Sequence, residues 1–211
     1  MSGFFYLHWA MEILELPDQG APFELPDARL RLFKNFFDKK EAAHYYNTLL
    51  TQIPWQQDPI TVFGKTYPQP RLTALHAVNG NSYSYSGILM RPHKMTPELV
   101  EIANRIASHS PVEFTTVLLN LYRNGSDSNG WHADNEKELG KNPVIASVSF
   151  GASRFFHLKH RTIKELRYKI KLESGSLLFM EGTTQEKWLH QLPKTAKPIA
   201  PRINLTFRKI I

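Results

Sequence analysis

The stretch APRINLTFRKI, residues 200–210, alternates polar and apolar side chains with a period of two. Arg202, Asn204, Thr206 and Arg208 hold one set of positions; Ile203, Leu205 and Phe207 hold the other. Successive side chains of a β-strand point to opposite faces, so on a strand the four polar residues share one face. Two arginines turned into a small barrel are costly unless they meet anions. A dicarboxylate would supply those anions through charge-assisted, bidentate contacts. The competing reading is an amphipathic edge strand whose polar face lies in water.

The segments that precede this strand have the same texture. FTTVLLNLYR (114–123), VIASVSF (144–150), RFFHLKH (154–160), LRYKIKLE (166–173) and GSLLFME (175–181) all read as strands, closely spaced and separated by turn residues. Such a run argues for an antiparallel sandwich or barrel. Asn120 and Tyr122 share a face of the first of these. Further upstream, PITVFGKTYPQPRLTALHA reads as a hairpin turning at Phe63-Gly64-Lys65, and SYSYSG (82–87) would present Tyr83 and Tyr85 together. Two helices are expected. One starts at Asp38, with Glu41 three residues on as in a capping box, and runs to about Ile53. The other is capped by Thr96, with Pro97 in its first turn. Residues 1–30, punctuated by Pro17, Pro22 and Pro26, read as irregular.

GWHADNE, residues 130–136, follows a glycine-bearing turn. On an extended segment His132 and Asp134 point to the same side and could reach one ion, though read alone they fit a solvated loop better. His190, in KWLHQLP, is the residue that changes this balance. Two imidazoles and one carboxylate form the facial triad of non-haem Fe(II) oxygenases, which leaves coordination positions open. His190 by itself could be a structural histidine, and the chain has 9 histidines from which chance triples could arise.

Composition narrows the chemistry. The 211 residues suit a single domain. With 0 cysteines, thiolate zinc sites, iron–sulfur clusters, disulfides and thiol nucleophiles are excluded, so any metal must be held by His, Asp or Glu. The net charge is +7, yet residues 1–28 carry five acids and no Lys or Arg, so the remainder carries 7 − (−5) = +12. A basic body suits a polyanion such as nucleic acid, or is simply a basic surface. There is no basic n-region before the first apolar residues and no run of the ~20 apolar residues that cross a bilayer. The expectation is an intracellular, soluble monomer with no membrane partner, cytoplasmic if bacterial and nuclear if eukaryotic.

Taken in order, N-x-Y-x-x-G (Asn120, Tyr122, Gly125), W-H-x-D (Trp131 to Asp134), the distant His190 and the terminal R-x-N-x-T-F-R resemble the AlkB family. These are Fe(II)- and 2-oxoglutarate-dependent dioxygenases that repair alkylated nucleic acids. The resemblance covers roughly residues 55–211. It implies an α+β, mainly β chain folded as a double-stranded β-helix, or jelly roll, with flanking N-terminal helices. It implies Fe(II) on His132, Asp134 and His190, with O₂ as a cosubstrate. It implies 2-oxoglutarate on Asn120, Tyr122, Arg202, Asn204, Thr206 and Arg208, with Arg202 at the distal carboxylate and Arg208 near the chelating end.

Within the family, ASVSFG (146–151), GSLLFM (175–180) and the terminal strand look most like the animal homologues that prefer double-stranded DNA. That branch carries a VFGK hairpin, here Val62 to Lys65. The resemblance therefore implies a base-stack wedge at Phe63, beside Gly64, with Lys65 on phosphate. It implies Tyr83 and Tyr85 around a flipped base, and Asn135 and Glu136 near the lesion, where a carboxylate suits a cationic 1-methyladenine or 3-methylcytosine. Arg71 is a further candidate for substrate contact. The expected organisation is an N-terminal extension and helix (1–54), a nucleotide-recognition lid with the hairpin (55–95) and a catalytic core (111–211). The expected reaction is oxidative demethylation of alkylated DNA, double- or single-stranded, with release of formaldehyde. The same chemistry on RNA or another substrate, and a non-catalytic nucleic-acid-binding jelly roll, are the alternatives. Tyr85 where that branch has Phe, Thr73 where it has a polar amide, and the acidic N-terminus depart from the pattern.

Overall fold

The structure is a computed structural model that describes residues 11–62, 64–78, 83–85 and 88–210. Strands Glu12–Ile13 (β1), Pro22–Leu25 (β2) and Ala28–Phe33 (β3) precede helix Lys39–Gln52 (α1). Strands Pro59–Val62 (β4), Lys65–Pro68 (β5), Leu72–Ala77 (β6), Tyr83–Tyr85 (β7), Ile88–Met90 (β8) and His93–Lys94 (β9) lead to helix Pro97–Ala107 (α2). Thr116–Tyr122 (β10), Asn129–His132 (β11), Ile145–Gly151 (β12), Arg154–His160 (β13), Arg167–Leu172 (β14) and Leu177–Glu181 (β15) follow. One helical turn, Thr184–Lys187 (α3), then Trp188–Leu192 (β16) and Arg202–Arg208 (β17) end the described chain.

Among the described residues, the strands build two facing sheets and two small hairpins. The larger sheet has the order β2-β3-β15-β12-β17-β10-β6-β9; the smaller has the order β1-β14-β13-β16-β11. Trp188, Leu158 and Ile170 of the smaller sheet pack on Leu30, Leu118, Ile145 and Leu178 of the larger, forming the core between them. The other face of the larger sheet is covered by the helices. Leu49 and Tyr45 of α1 and Leu99, Ile102 and Ile106 of α2 pack on Val117, Leu119, Leu205 and Phe207. This is the jelly-roll sandwich, with α1 and α2 on the outer face of the larger sheet.

The helices start where their caps dictate. The Asp38 carboxylate accepts from the Lys40 and Glu41 N–H groups, and the Glu41 carboxylate accepts from the Asp38 N–H, each at 2.8 Å. Thr96 Oγ1 accepts from Leu99 N–H, and Pro97 occupies the first helical position, where its missing N–H costs nothing.

One expectation is corrected. Residues 1–30 are not irregular throughout, because β2 and β3 form an antiparallel hairpin that joins the edge of the larger sheet through β15. Pro22 opens an edge strand, where no ladder hydrogen bond is demanded of it. Pro26 lies in the connecting turn with Asp27, whose φ is +59°. The prolines that looked like breakers therefore sit where a strand tolerates them.

Candidate active site

β17 lies at the centre of the larger sheet, between β10 and β12. Its odd-numbered residues enter the core under the helices. Its even-numbered residues line a cavity between the sheets together with Asn120, Tyr122, His132, Asp134 and His190. Arg202 and Arg208 are each 2% exposed, so the polar face of this strand is not in water. Register sets the neighbours: Tyr122 lies opposite Arg202 and Asn120 opposite Asn204. On the other side Ser149 pairs with Asn204 and Ser147 with Thr206.

These side chains hold one another. Asn204 Nδ2 donates to Ser147 Oγ (2.8 Å) and to the Val148 carbonyl (3.0 Å), and Thr206 Oγ1 donates to Asn204 Oδ1 (3.1 Å). Arg202 donates to Ser149 Oγ (2.9 Å) and its guanidinium lies 5.5 Å from the Tyr122 ring centroid. Its Nε has no hydrogen-bond partner. Burial pushes this guanidinium down to about 10, against the pull of Tyr122. A buried cation this sparsely paired is the signature of a site built for an anion.

At the other end of the cavity, ligand atoms of His132, Asp134 and His190 lie within 4.8 Å of one another. His132 closes β11 and His190 sits opposite it at the middle of β16. His132 Nδ1 donates to the Gly130 carbonyl at 2.7 Å, which leaves Nε2 as the lone-pair nitrogen. Burial lowers the proton affinity of both imidazoles, His190 to about 3, so both are neutral, the form that ligates a metal, at neutral pH. Burial would raise Asp134, but the charge of Arg208, joined at acid pH by those of the protonated His190 and His132, outweighs it and holds the carboxyl at about 2. Asp134 Oδ2 pairs with Arg208 Nη2 at 3.0 Å. Its Oδ1 is buried, accepts no hydrogen bond and lies 3.8 Å from His132 Nε2. A buried carboxylate oxygen facing two neutral imidazoles fits a divalent cation. The all-N/O donor set suits iron, and the cavity beside it leads along β17 to Arg202.

Of the residues expected around the substrate, the described ones do not line this cavity. Arg71 is buried and donates from Nε to Asn120 Oδ1 (2.8 Å) and from Nη1 to the Ser128 carbonyl (3.3 Å), so it braces the cavity wall from outside. Gly64 and Lys65 are exposed on the β4–β5 hairpin, where Val62 pairs with Lys65 and Gly64 takes φ +74°. Phe63 lies outside the described residues, as do the side chains of Tyr83 and Tyr85, whose backbone forms β7. Asn135 is exposed and Glu136 half-buried, both directly after Asp134.

Several lining residues had not been picked out from the sequence. Ser147, Phe156 and Met180 project into the cavity from β12, β13 and β15. The Phe156 ring lies 5.2 Å from that of His190. Their signal was present, since each holds an inward position on an alternating strand. Asn129 and Gln185 had no such signal. Asn129 Nδ2 lies 3.2 Å from His132 Nε2, and Gln185 contacts the backbone of Asp134.

Comparison with known proteins agrees with this architecture. The family model for the 2OG-Fe(II) oxygenase superfamily matches residues 29–208. The chain belongs to that superfamily and, within it, to the AlkB family. It is 41% identical over 192 residues to human "Alpha-ketoglutarate-dependent dioxygenase alkB homolog 3", covering 87% of this chain and 66% of that one. It is 36% identical over 185 residues to human "DNA oxidative demethylase ALKBH2", covering 83% and 71%. The plant protein of that name, from Arabidopsis thaliana, is 37% identical over 206 residues, covering 84% and 65%. The chain thus spans 66% of the length of its homolog 3 relative, just under two thirds. Among solved structures, "The structure of OsALKBH1" superposes with a TM-score of 0.65 at 17% identity, over 90% of this chain and 100% of that one, a likeness of fold. No helix among the described residues is long and apolar enough to cross a membrane.

Proposed function

We propose that this chain is an Fe(II)- and 2-oxoglutarate-dependent dioxygenase that oxidatively demethylates N-alkylated bases in DNA. The observation that carries the reading is the buried polar face of β17. Two arginines, one of them paired with the carboxylate of a His-Asp-His cluster, lie along one cavity wall. The names of the relatives, a dioxygenase and a DNA oxidative demethylase, support the substrate class.

His132, Asp134 and His190 would hold the iron, which when bound with 2-oxoglutarate supplies the oxidising power for O₂-dependent hydroxylation. Arg202 meets the distal carboxylate of the cosubstrate with two N–H donors, and the Tyr122 ring against it limits where that carboxylate can sit. Thr206 is already bonded to Asn204, and Asn204 to Ser147, so the cavity wall does not reorganise when the cosubstrate enters. Arg208 holds one Asp134 oxygen, which would leave the other to a bound metal. Arg71 holds the Asn120 oxygen, which leaves the Asn120 amide N–H groups to face the cavity.

On the substrate side, the segment 55–95 acts as the lid over the base. The β4–β5 hairpin enters the stack with Phe63 while Lys65 holds phosphate. Tyr83 and Tyr85 line the flipped base. Glu136, with Asn135, favours a lesion whose methyl group leaves the ring cationic. The chain acts as a monomer in this reading. The test is formaldehyde release, with Fe(II) and 2-oxoglutarate, from matched single- and double-stranded DNA and RNA carrying 1-methyladenine. Release from DNA, abolished by Asp134→Asn, is expected. Release from RNA alone would move the substrate, and no formaldehyde from any of them would reject demethylation.

A further inference from the structure

Asp134 is the weak point in the backbone of the metal cluster. β11 ends at His132, so no ladder holds the next residues, yet Asp134 is only 1% exposed. A buried N–H must find an acceptor. It finds the side chain of Gln185: Asp134 N–H donates to Gln185 Oε1 at 2.9 Å across 51 residues of sequence. Because the backbone N–H can only donate, the amide oxygen of Gln185 must be the atom that faces it. The Gln185 Nε2 then points to the Met180 sulfur at 3.5 Å, in the cavity wall. Gln185 is itself 1% exposed.

The element that carries Gln185 is anchored from both sides. Thr184 Oγ1 donates to the Glu181 carbonyl and accepts from Arg29 N–H of the β2–β3 hairpin (3.2 Å). Thr183 Oγ1 donates to the Asp27 carbonyl at 3.0 Å. On its other side α3 runs directly into β16, which presents His190. Gln185 thus ties the loop bearing one ligand to the strand bearing another, and the N-terminal hairpin holds the tie in place.

We propose that Gln185 is a positioning residue for the metal centre, setting the distance between Asp134 and His190 through the Asp134 backbone. This rests on the metal reading given above. Partners of this kind, one shell out from the metal, are worth about 10- to 100-fold in metal affinity.

The test is Mn(II) titration of the metal-free full chain, alongside its melting temperature and amide exchange at Asp134. Gln185→Leu removes the acceptor at similar volume, while Gln185→Glu keeps an acceptor oxygen. In the folded Leu variant, we expect Mn(II) affinity lowered about 10- to 100-fold and faster exchange at Asp134, with affinity restored in the Glu variant. Unchanged affinity in a folded Leu variant would overturn the proposal. If the Leu variant does not fold, the Glu variant decides: slow Asp134 exchange with weakened Mn(II) binding, or fast exchange with unchanged Mn(II) binding, would also overturn it. Failure of the unsubstituted chain to bind Mn(II) would remove the metal reading itself, which no comparison among variants could do.

Discussion

Replacing Arg202 by methionine should cost the protein its cosubstrate without costing it its fold. Arg202 is buried, and the fall of its guanidinium well below the usual arginine range, to about 10, means burial disfavours the charged form. At about 1.4 kcal/mol per unit, that is roughly 3 kcal/mol set against the ion-free fold. The arginine recovers about 1.5 kcal/mol from its bond to Ser149 and about 1 kcal/mol from the Tyr122 ring. Methionine fills similar space without the charge. The balance, about 0.5 kcal/mol, predicts an unliganded melting temperature that is unchanged or raised by about 1–2 °C. An ordinary buried side chain of this size would lose stability when replaced.

Binding moves the other way. Two charge-assisted hydrogen bonds at about 1.5–3 kcal/mol each amount to roughly 3–6 kcal/mol, or about 10²- to 10⁴-fold in Kd for 2-oxoglutarate. Scanning calorimetry reads both effects. With Mn(II) and 2-oxoglutarate at a hundred times Kd, the wild type should gain about 2.7 kcal/mol, and Arg202→Met at the same concentration almost none. A variant that melts much lower without ligand, yet keeps the 2-oxoglutarate shift, would refute the reasoning. Arg202 would then be structural.

Other consequences follow from the same geometry. Metal-free protein should lose stability steadily as pH falls below about 6.5. His190 is depressed to about 3, with His76, His132 and His157 also lowered, so the unfolded chain binds more protons in that window; for His190 alone the slope is about 1.4 kcal/mol per pH unit. Denaturant titrations in chelator between pH 7 and 5 measure this, and a flat profile would contradict the burial of these rings. Asp38→Ala breaks the capping box of α1 and should cost about 1 kcal/mol in urea unfolding while leaving Mn(II) affinity untouched. Phe63→Ala should reduce turnover on duplex DNA more than on single strands; equal loss on both would remove the wedge.

The alternation of APRINLTFRKI made β17 legible because a strand has a period of two, and burial turned its polar face into a site. The same period made Asn120 and Tyr122 legible on β10, and helix chemistry made Asp38 and Thr96 legible as caps. The β2–β3 hairpin was hidden by its prolines, since Pro22 is tolerated only because its strand is an outer edge, and that edge exists only because β3 docks on β15, far away in sequence. β16 was hidden for a related reason, being only five residues that follow a helical turn without loop-forming residues between. Gln185 could not be read at all, because a lone glutamine carries no pattern and its importance is created by the packing of α3 beside Asp134. His132 and Asp134 became a metal site only with His190, and it is strand pairing between β11 and β16 that brings them together.

The most direct test of the central claim is anomalous diffraction at the manganese edge from crystals grown with Mn(II) and 2-oxoglutarate. The account predicts one strong peak bounded by His132 Nε2, Asp134 Oδ1 and His190, with dicarboxylate density running along β17 to Arg202. Manganese bound elsewhere, or a dicarboxylate that does not reach Arg202, would contradict it.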